Sequence, residues 1–165
     1  MTRDEAAGVV LLRVLDWEGG VADVGDGHGV TRFGQTPGWL QQFGLPAPMT
    51  TGEALANYRT WLVKTGILGA CDAPDIFAVA VVDWAVHAGH RVAIRGLQLA
   101  LKEAADGVWG PETQAAVDAA DRHALACRLV AARARFTFGL LADPARSQWA
   151  RGWGHRIADQ IEALA

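Results

Sequence analysis

Glu18 stands where a carboxyl group can work as an acid. It lies at the C-terminal end of an apolar run, beside Trp17 and ahead of Gly19 and Gly20. The negative end of a helix dipole and apolar surroundings both disfavour a carboxylate, so each pushes such a group's pKa up. A carboxyl that keeps its proton near neutral pH can deliver it to a leaving oxygen. The two glycines leave backbone room for a bulky substrate. A glycine-rich stretch then turns back, bringing Asp26 and Thr31 towards Glu18. Asp26 can orient or deprotonate a water, and the Thr31 hydroxyl can hold it. A proton donor on one side of a bond and a second carboxylate on the other is the arrangement that cleaves glycosides. Such spacings also arise at plain helix ends and hairpin turns, so spacing alone leaves both readings open.

The elements that position these residues can be read from the pattern. Thr2 with Glu5 is a capping-box pair that opens a helix. The near-continuous apolar residues Val9 to Trp17 predict that this helix is largely buried, and Gly19-Gly20 ends it. Between Gly19 and Thr36, Asp26-Gly27 is a hairpin-turn dipeptide, so a short twisted β-hairpin is expected. A short helical piece follows around Trp39 to Phe43. Thr51 is read as the cap of a helix over about Gly52 to Leu62, and Pro74 as the opening residue of one from Asp75 to about Ala88. The latter is nearly all apolar and is the expected central helix. Gly89 breaks it, and a helix from Val92 to Glu103 follows. Pro111 starts a helix over Glu112 to Ala119, and Asp121 to Leu141 forms another. The last helix covers Ser147 to Leu164, with a weak point at Gly152 and Gly154.

Composition bounds the rest. The chain has 165 residues, 51% hydrophobic and 20% charged, which excludes a disordered protein. The net charge is −3 and no segment is strongly basic, so nucleic acid is not an expected partner. The apolar stretch from Ala124 to Leu141 contains Arg128, Arg133 and Arg135, so no membrane span is expected. Asp4 and Glu5 occupy the place of a signal peptide's positive region, so synthesis in the cytoplasm without a signal peptide is expected. Cys71 and Cys127 read as two small buried hydrophobes, with a disulfide as the alternative. No linker separates two halves. One domain over 1–165 is expected, with a catalytic half at 1–90 and a helical half at 91–165.

At this point the sequence resembles a family. Trp17-Glu18-Gly19-Gly20, followed by Asp26-Gly-His-Gly-Val-Thr31-Arg-Phe33-Gly34-Gln-Thr36, resembles the motif of glycoside hydrolase family 108. That motif is Glu-Gly-Gly, an Asp-containing loop, then Gly-x-Thr-x-Tyr-Gly-Ile-Thr. Asp83-Trp-Ala-Val-His87-Ala-Gly89 is similar to the family's Asp-x-Ala-Val-Asn-x-Gly. Leu97-Gln98, Asp106-Gly-Val-Trp-Gly-Pro-Glu-Thr113 and Gly152-Trp153-x-x-Arg156 resemble its C-terminal region, often described as a peptidoglycan-binding segment. The resemblance runs through nearly the whole chain in order.

The resemblance implies an N-acetylmuramidase of endolysin or secretion-activator type, with a mainly α, lysozyme-like fold and a short hairpin after the first helix. It implies that Glu18 is the acid and that peptidoglycan glycan strands are the partner. No cofactor or metal is implied. A monomer is expected, reaching the cell wall through a holin-type membrane lesion or in a phage-like particle. The departures have chemical consequences. The loop after Glu18 is one residue shorter than the pattern, so Asp23 rivals Asp26 as the second carboxylate. His28-Gly29 replaces a double glycine. His87 replaces the Asn, changing an amide at the substrate into an imidazole. Phe33 replaces Tyr and loses a hydroxyl, and Gln35 replaces Ile.

Asp23, His28, Phe33, His87, Gln98 and Trp109 complete the candidate substrate contacts. The segment Asp106 to Thr113 is equally accounted for by turn chemistry, with Gly107 and Gly110 in the turn and Pro111 starting a helix. His87 and His90 could join Asp23, Asp26 or His28 around a metal, but no third ligand falls at a recognisable spacing. Trp61, Trp84 and Trp149 fit apolar helix faces and read as core. Trp17, Trp39, Trp109 and Trp153 lie near loops, where an indole can stack on a sugar ring. Three functions follow for comparison. The first is a muramidase, with a lytic transglycosylase as its close variant. The second is a zinc amidase or peptidase, which activity surviving a chelator eliminates. The third is a non-catalytic wall-binding protein.

Overall fold

In the computed structural model, residues 1–18, 21–22 and 30–165 are described. Packing divides the chain into two compact units, Met1–Pro74 and Asp75–Ala165.

In the first unit, α1 (Arg3–Glu18) begins with the expected capping box. Glu5 N–H donates to Thr2 Oγ1 at 3.2 Å, and Thr2 N–H donates to Glu5 Oε2 at 2.7 Å. The helix is amphipathic and not buried on all sides. Ala6, Ala7, Val10, Leu11, Val14 and Leu15 are inside, whereas Val9 and Leu12 are exposed. An apolar run records which residues tolerate burial, not which ones acquire a neighbour. β1 (Val21–Ala22) pairs antiparallel with β2 (Thr31–Arg32). α2 (Pro37–Phe43) starts at Thr36, whose Oγ1 accepts the Trp39 N–H.

α3 (Thr51–Thr65) is capped by Thr50 and not by Thr51. Thr50 Oγ1 accepts the Glu53 N–H at 3.2 Å, and Glu53 Oε2 accepts from Met49 and Thr50 N–H. Those two N–H groups, Met49 first, hold the Glu53 carboxyl below its ordinary range. Of two adjacent threonines, the one three residues before Glu53 completes the reciprocal box. α1 packs against α3 and a 3-10 segment at Ile67–Ala70. Tyr58, Trp61, Leu62, Ile67 and Cys71 close this core.

In the second unit, α4 (Ile76–Ala88) is central and packs against α5 (His90–Leu101) and α7 (Arg122–Leu140). Every position from Phe77 to Ala85 is buried, as its composition predicts. Its cap is Asp75, whose Oδ1 accepts the Ala78 N–H at 2.9 Å. Pro74 therefore precedes the cap and does not occupy the first helical turn. Gly89, at φ 91°, turns α4 into α5 with no intervening loop, so α5 starts earlier than its sequence suggests. A Cβ on Gly96 would lie 2.3 Å from the Trp84 ring, so only glycine permits α5 to lie this close to α4. α6 (Pro111–Ala119) packs on α5, and α8 (Ala150–Glu162) packs on α7 after a 3-10 segment at Pro144–Trp149.

Three expectations are corrected in this unit. Gly152 and Gly154 lie inside the continuous α8 and do not break it. Trp149 is 44% exposed and is not a core residue, because it belongs to the surface 3-10 segment leading into α8. Cys127 is exposed while Cys71 is buried. The inner face of α7 carries Leu125, Ala126, Leu129, Val130, Arg133 and Thr137, and Cys127 points off that face. Among the described residues, no helix is long and apolar enough to cross a membrane.

Candidate functional site

Glu18 is the last residue of α1, so its position at the negative end of a helix is as expected. The chain leaves α1 into β1, and the register sets Ala22 opposite Thr31. Thr31 thus returns beside the segment that follows Glu18, and it is half-buried. Asp23, Asp26 and His28 lie outside the described residues, as do the side chains of Trp17 and Glu18.

The remainder of the motif builds a support. Arg32 and Gln35 exchange backbone hydrogen bonds, Gln35 N–H to Arg32 O at 2.9 Å and Arg32 N–H to Gln35 O at 3.2 Å. Between them Phe33 and Gly34 have φ of 52° and 76°. Two positive φ values are the signature of a tight type I′ turn, which glycine adopts freely and phenylalanine does not. The strained Phe33 is held in place by Tyr58 Oη, which donates to its carbonyl at 2.9 Å. Phe33 is therefore placed in a turn, half-buried.

Gln35 is 1% exposed. Its Nε2 donates to Ala54 O at 2.9 Å, and Asn57 Nδ2 donates to its Oε1 at 2.9 Å and to Pro46 O at 2.8 Å. A buried amide needs these partners, and α3 supplies them. This network, which sequence reasoning missed, fixes the strand carrying Thr31 to α3. Beside it lies an open depression of about 320 Å³, lined by Val30, Arg32, Gln35, Leu40, Gln41 and Leu45. Trp39 is not a free stacking residue. Its ring packs 5.3 Å from Tyr58 and 5.7 Å from Trp61.

In the second unit, Gln98 organises the segment from Asp106 to Thr113. Its Oε1 accepts the Gly107 N–H at 2.9 Å, and its Nε2 donates to Asp106 Oδ1 at 2.7 Å and Thr113 Oγ1 at 3.1 Å. Gln98 is 2% exposed, so its amide is directed into the turn. The Val108 N–H and then Gln98 hold the Asp106 carboxyl below its ordinary range. Gly107, at φ 76°, takes a backbone conformation suited to glycine. Trp109 is half-buried and donates Nε1–H to Gln114 Oε1 at 2.9 Å.

Asp83 is fully buried at the centre of α4. It pairs with Arg133 of α7, and Arg156 Nη1 (3.3 Å) and Gln160 Nε2 (2.9 Å) of α8 donate to it. Gln160 is not singled out by the sequence, and Arg133 only as a charge that interrupts an apolar stretch. The available signal was an arginine at a core-facing position of α7. One turn beyond Asp83, His87 is half-buried, and its Nδ1 is enclosed without a hydrogen-bond partner. Burial, then Arg133 and Arg156, push its pKa down to about 4, so it is neutral at pH 7. Its ring meets Trp153 edge-on at 5.0 Å. Among the described residues, no group of three His, Cys, Asp or Glu is placed to hold a metal ion.

Residues 92–158 match the family model described as "Predicted Peptidoglycan domain". No curated protein matches the chain. Among solved structures, the chain is similar to SagA of Brucella abortus, at 27% identity and a TM-score of 0.74. That match covers 93% of this chain and 90% of the other. The mainly helical architecture is consistent with the lysozyme-like fold expected from the sequence. The turn of Asp106 to Thr113 and the Trp153–Arg156 segment both fall inside the region matched to the peptidoglycan model.

Proposed function

We propose that the protein is a peptidoglycan hydrolase that cleaves the β-1,4 bond between N-acetylmuramic acid and N-acetylglucosamine. Glu18 is the general acid that protonates the glycosidic oxygen. Asp26, or Asp23 in its place, and Thr31 handle the water on the other face of the sugar. The observation that supports this reading most is the pairing of β1 with β2. It leads the chain from Glu18 at the end of α1 into β1, which pairs with the strand carrying Thr31. The likeness to SagA over nearly the whole chain and the peptidoglycan match at 92–158 make the cell wall the proposed place of action.

A non-catalytic wall-binding protein is the second reading, favoured by the match at 92–158 alone. Mass spectrometry of the soluble products from purified peptidoglycan separates the possibilities. The proposal expects fragments ending in reducing N-acetylmuramic acid. Anhydro-sugars would identify a transglycosylase, free stem peptides an amidase or peptidase, and no release a binding protein.

A further inference from the structure

Trp149, immediately ahead of α8, and Trp153, Arg156 and Gln160 within it are spaced to follow one another along a single helical face. The inner end of this row is anchored, since Arg156 and Gln160 both donate to the buried Asp83. The outer end emerges at the surface. There Trp149 stacks on Trp153, with ring centroids 5.8 Å apart and planes 23° apart. Trp153 in turn packs against the His87 ring. The core of this unit closes without Trp149, which is 44% exposed. Two near-parallel, stacked indoles at the start of an anchored helix leave exposed aromatic surface on Trp149, with the half-buried imidazole of His87 against Trp153.

We infer that Trp149 and Trp153, with His87 beside them, form a stacking subsite for a pyranose ring of a peptidoglycan glycan strand. Sugar rings present an apolar C–H face that suits an indole, and hydroxyl and amide groups that suit neutral partners at the rim. Trp149 and Trp153 lie within the segment similar to the peptidoglycan model and His87 just before it, and the choice of ligand rests on the hydrolase reading given above.

The test uses the full-length chain carrying Glu18→Gln, which the hydrolase reading expects to bind without cutting. Chitotetraose is titrated by calorimetry, and purified peptidoglycan by sedimentation. Adding Trp149→Ala should weaken chitotetraose binding by about tenfold or more, whereas Trp149→Phe, which keeps an aromatic face, should stay within about threefold. Far-ultraviolet circular dichroism checks that α8 survives both changes. Equal binding of Trp149→Ala and its parent to both probes overturns the subsite, as does failure of the parent to bind either. If binding depends on Trp149 but the wild-type chain releases no sugar from peptidoglycan, the subsite stands and the hydrolase reading falls.

Discussion

Asn57 Nδ2 donates to Gln35 Oε1 across 22 residues of sequence, and both side chains are buried. Asn57→Leu leaves the Gln35 carbonyl enclosed with no donor, at a cost of about 1–3 kcal/mol. Pairing it with Gln35→Ile removes both polar partners and should recover part of that loss. Urea unfolding of the three variants measures the coupling. Strictly additive losses would show that the pair does not act as a unit.

The buried carboxylate of Asp83 answers to two guanidinium groups. Asp83→Ala strands both of them in the second unit and should cost about 3–5 kcal/mol. Adding Arg133→Met removes one stranded charge and should restore part of the stability. A double variant less stable than Asp83→Ala would contradict this account of the cluster.

His87 makes stability depend on pH in a defined direction. Its folded pKa of about 4 lies below the ordinary 6.5, so the unfolded chain takes up the proton first. Where the unfolded state binds more protons, stability rises with pH. The contribution is complete above pH 6.5 and is lost as the pH falls from there towards 4. Urea unfolding at pH 7 and pH 5 should show a smaller drop for His87→Gln than for wild type. An unchanged drop would remove His87 as its source.

How much of this could be read from the sequence differs from element to element. The capping box of Thr2 and Glu5, the apolar α4 and the start of α6 at Pro111 depend on neighbours in sequence and are legible there. The choice between Thr50 and Thr51 needed the reciprocal bond to Glu53, and Trp149 needed knowledge of where the core closes. The Gln35–Asn57 and Asp83–Arg133 pairs join distant segments, which no local pattern reveals. For the site, the helix-end position of Glu18 and the return of Thr31 on a hairpin strand were both readable, because caps and turns are local. Whether Asp26 or Asp23 faces Glu18 depends on the path of residues 23–29, which lie outside the described structure.

Thr31 and the rival aspartates separate by substitution. Thr31→Val keeps the β-branched shape and removes the hydroxyl, so it should slow wall lysis without lowering the melting temperature. Full activity would make Thr31 a strand residue only. Between Asp26→Asn and Asp23→Asn, the larger loss of activity identifies the second carboxylate, and Asp26 is the expected one.

Release of reducing sugar from purified peptidoglycan by Glu18→Gln, set against wild type at equal concentration, tests the central claim most directly. Glutamine keeps the size of the side chain and removes the transferable proton. The rate should fall by at least about 10²-fold, the usual contribution of general acid catalysis, with the melting temperature unchanged. A variant that keeps more than about a hundredth of the wild-type rate would contradict Glu18 as the acid.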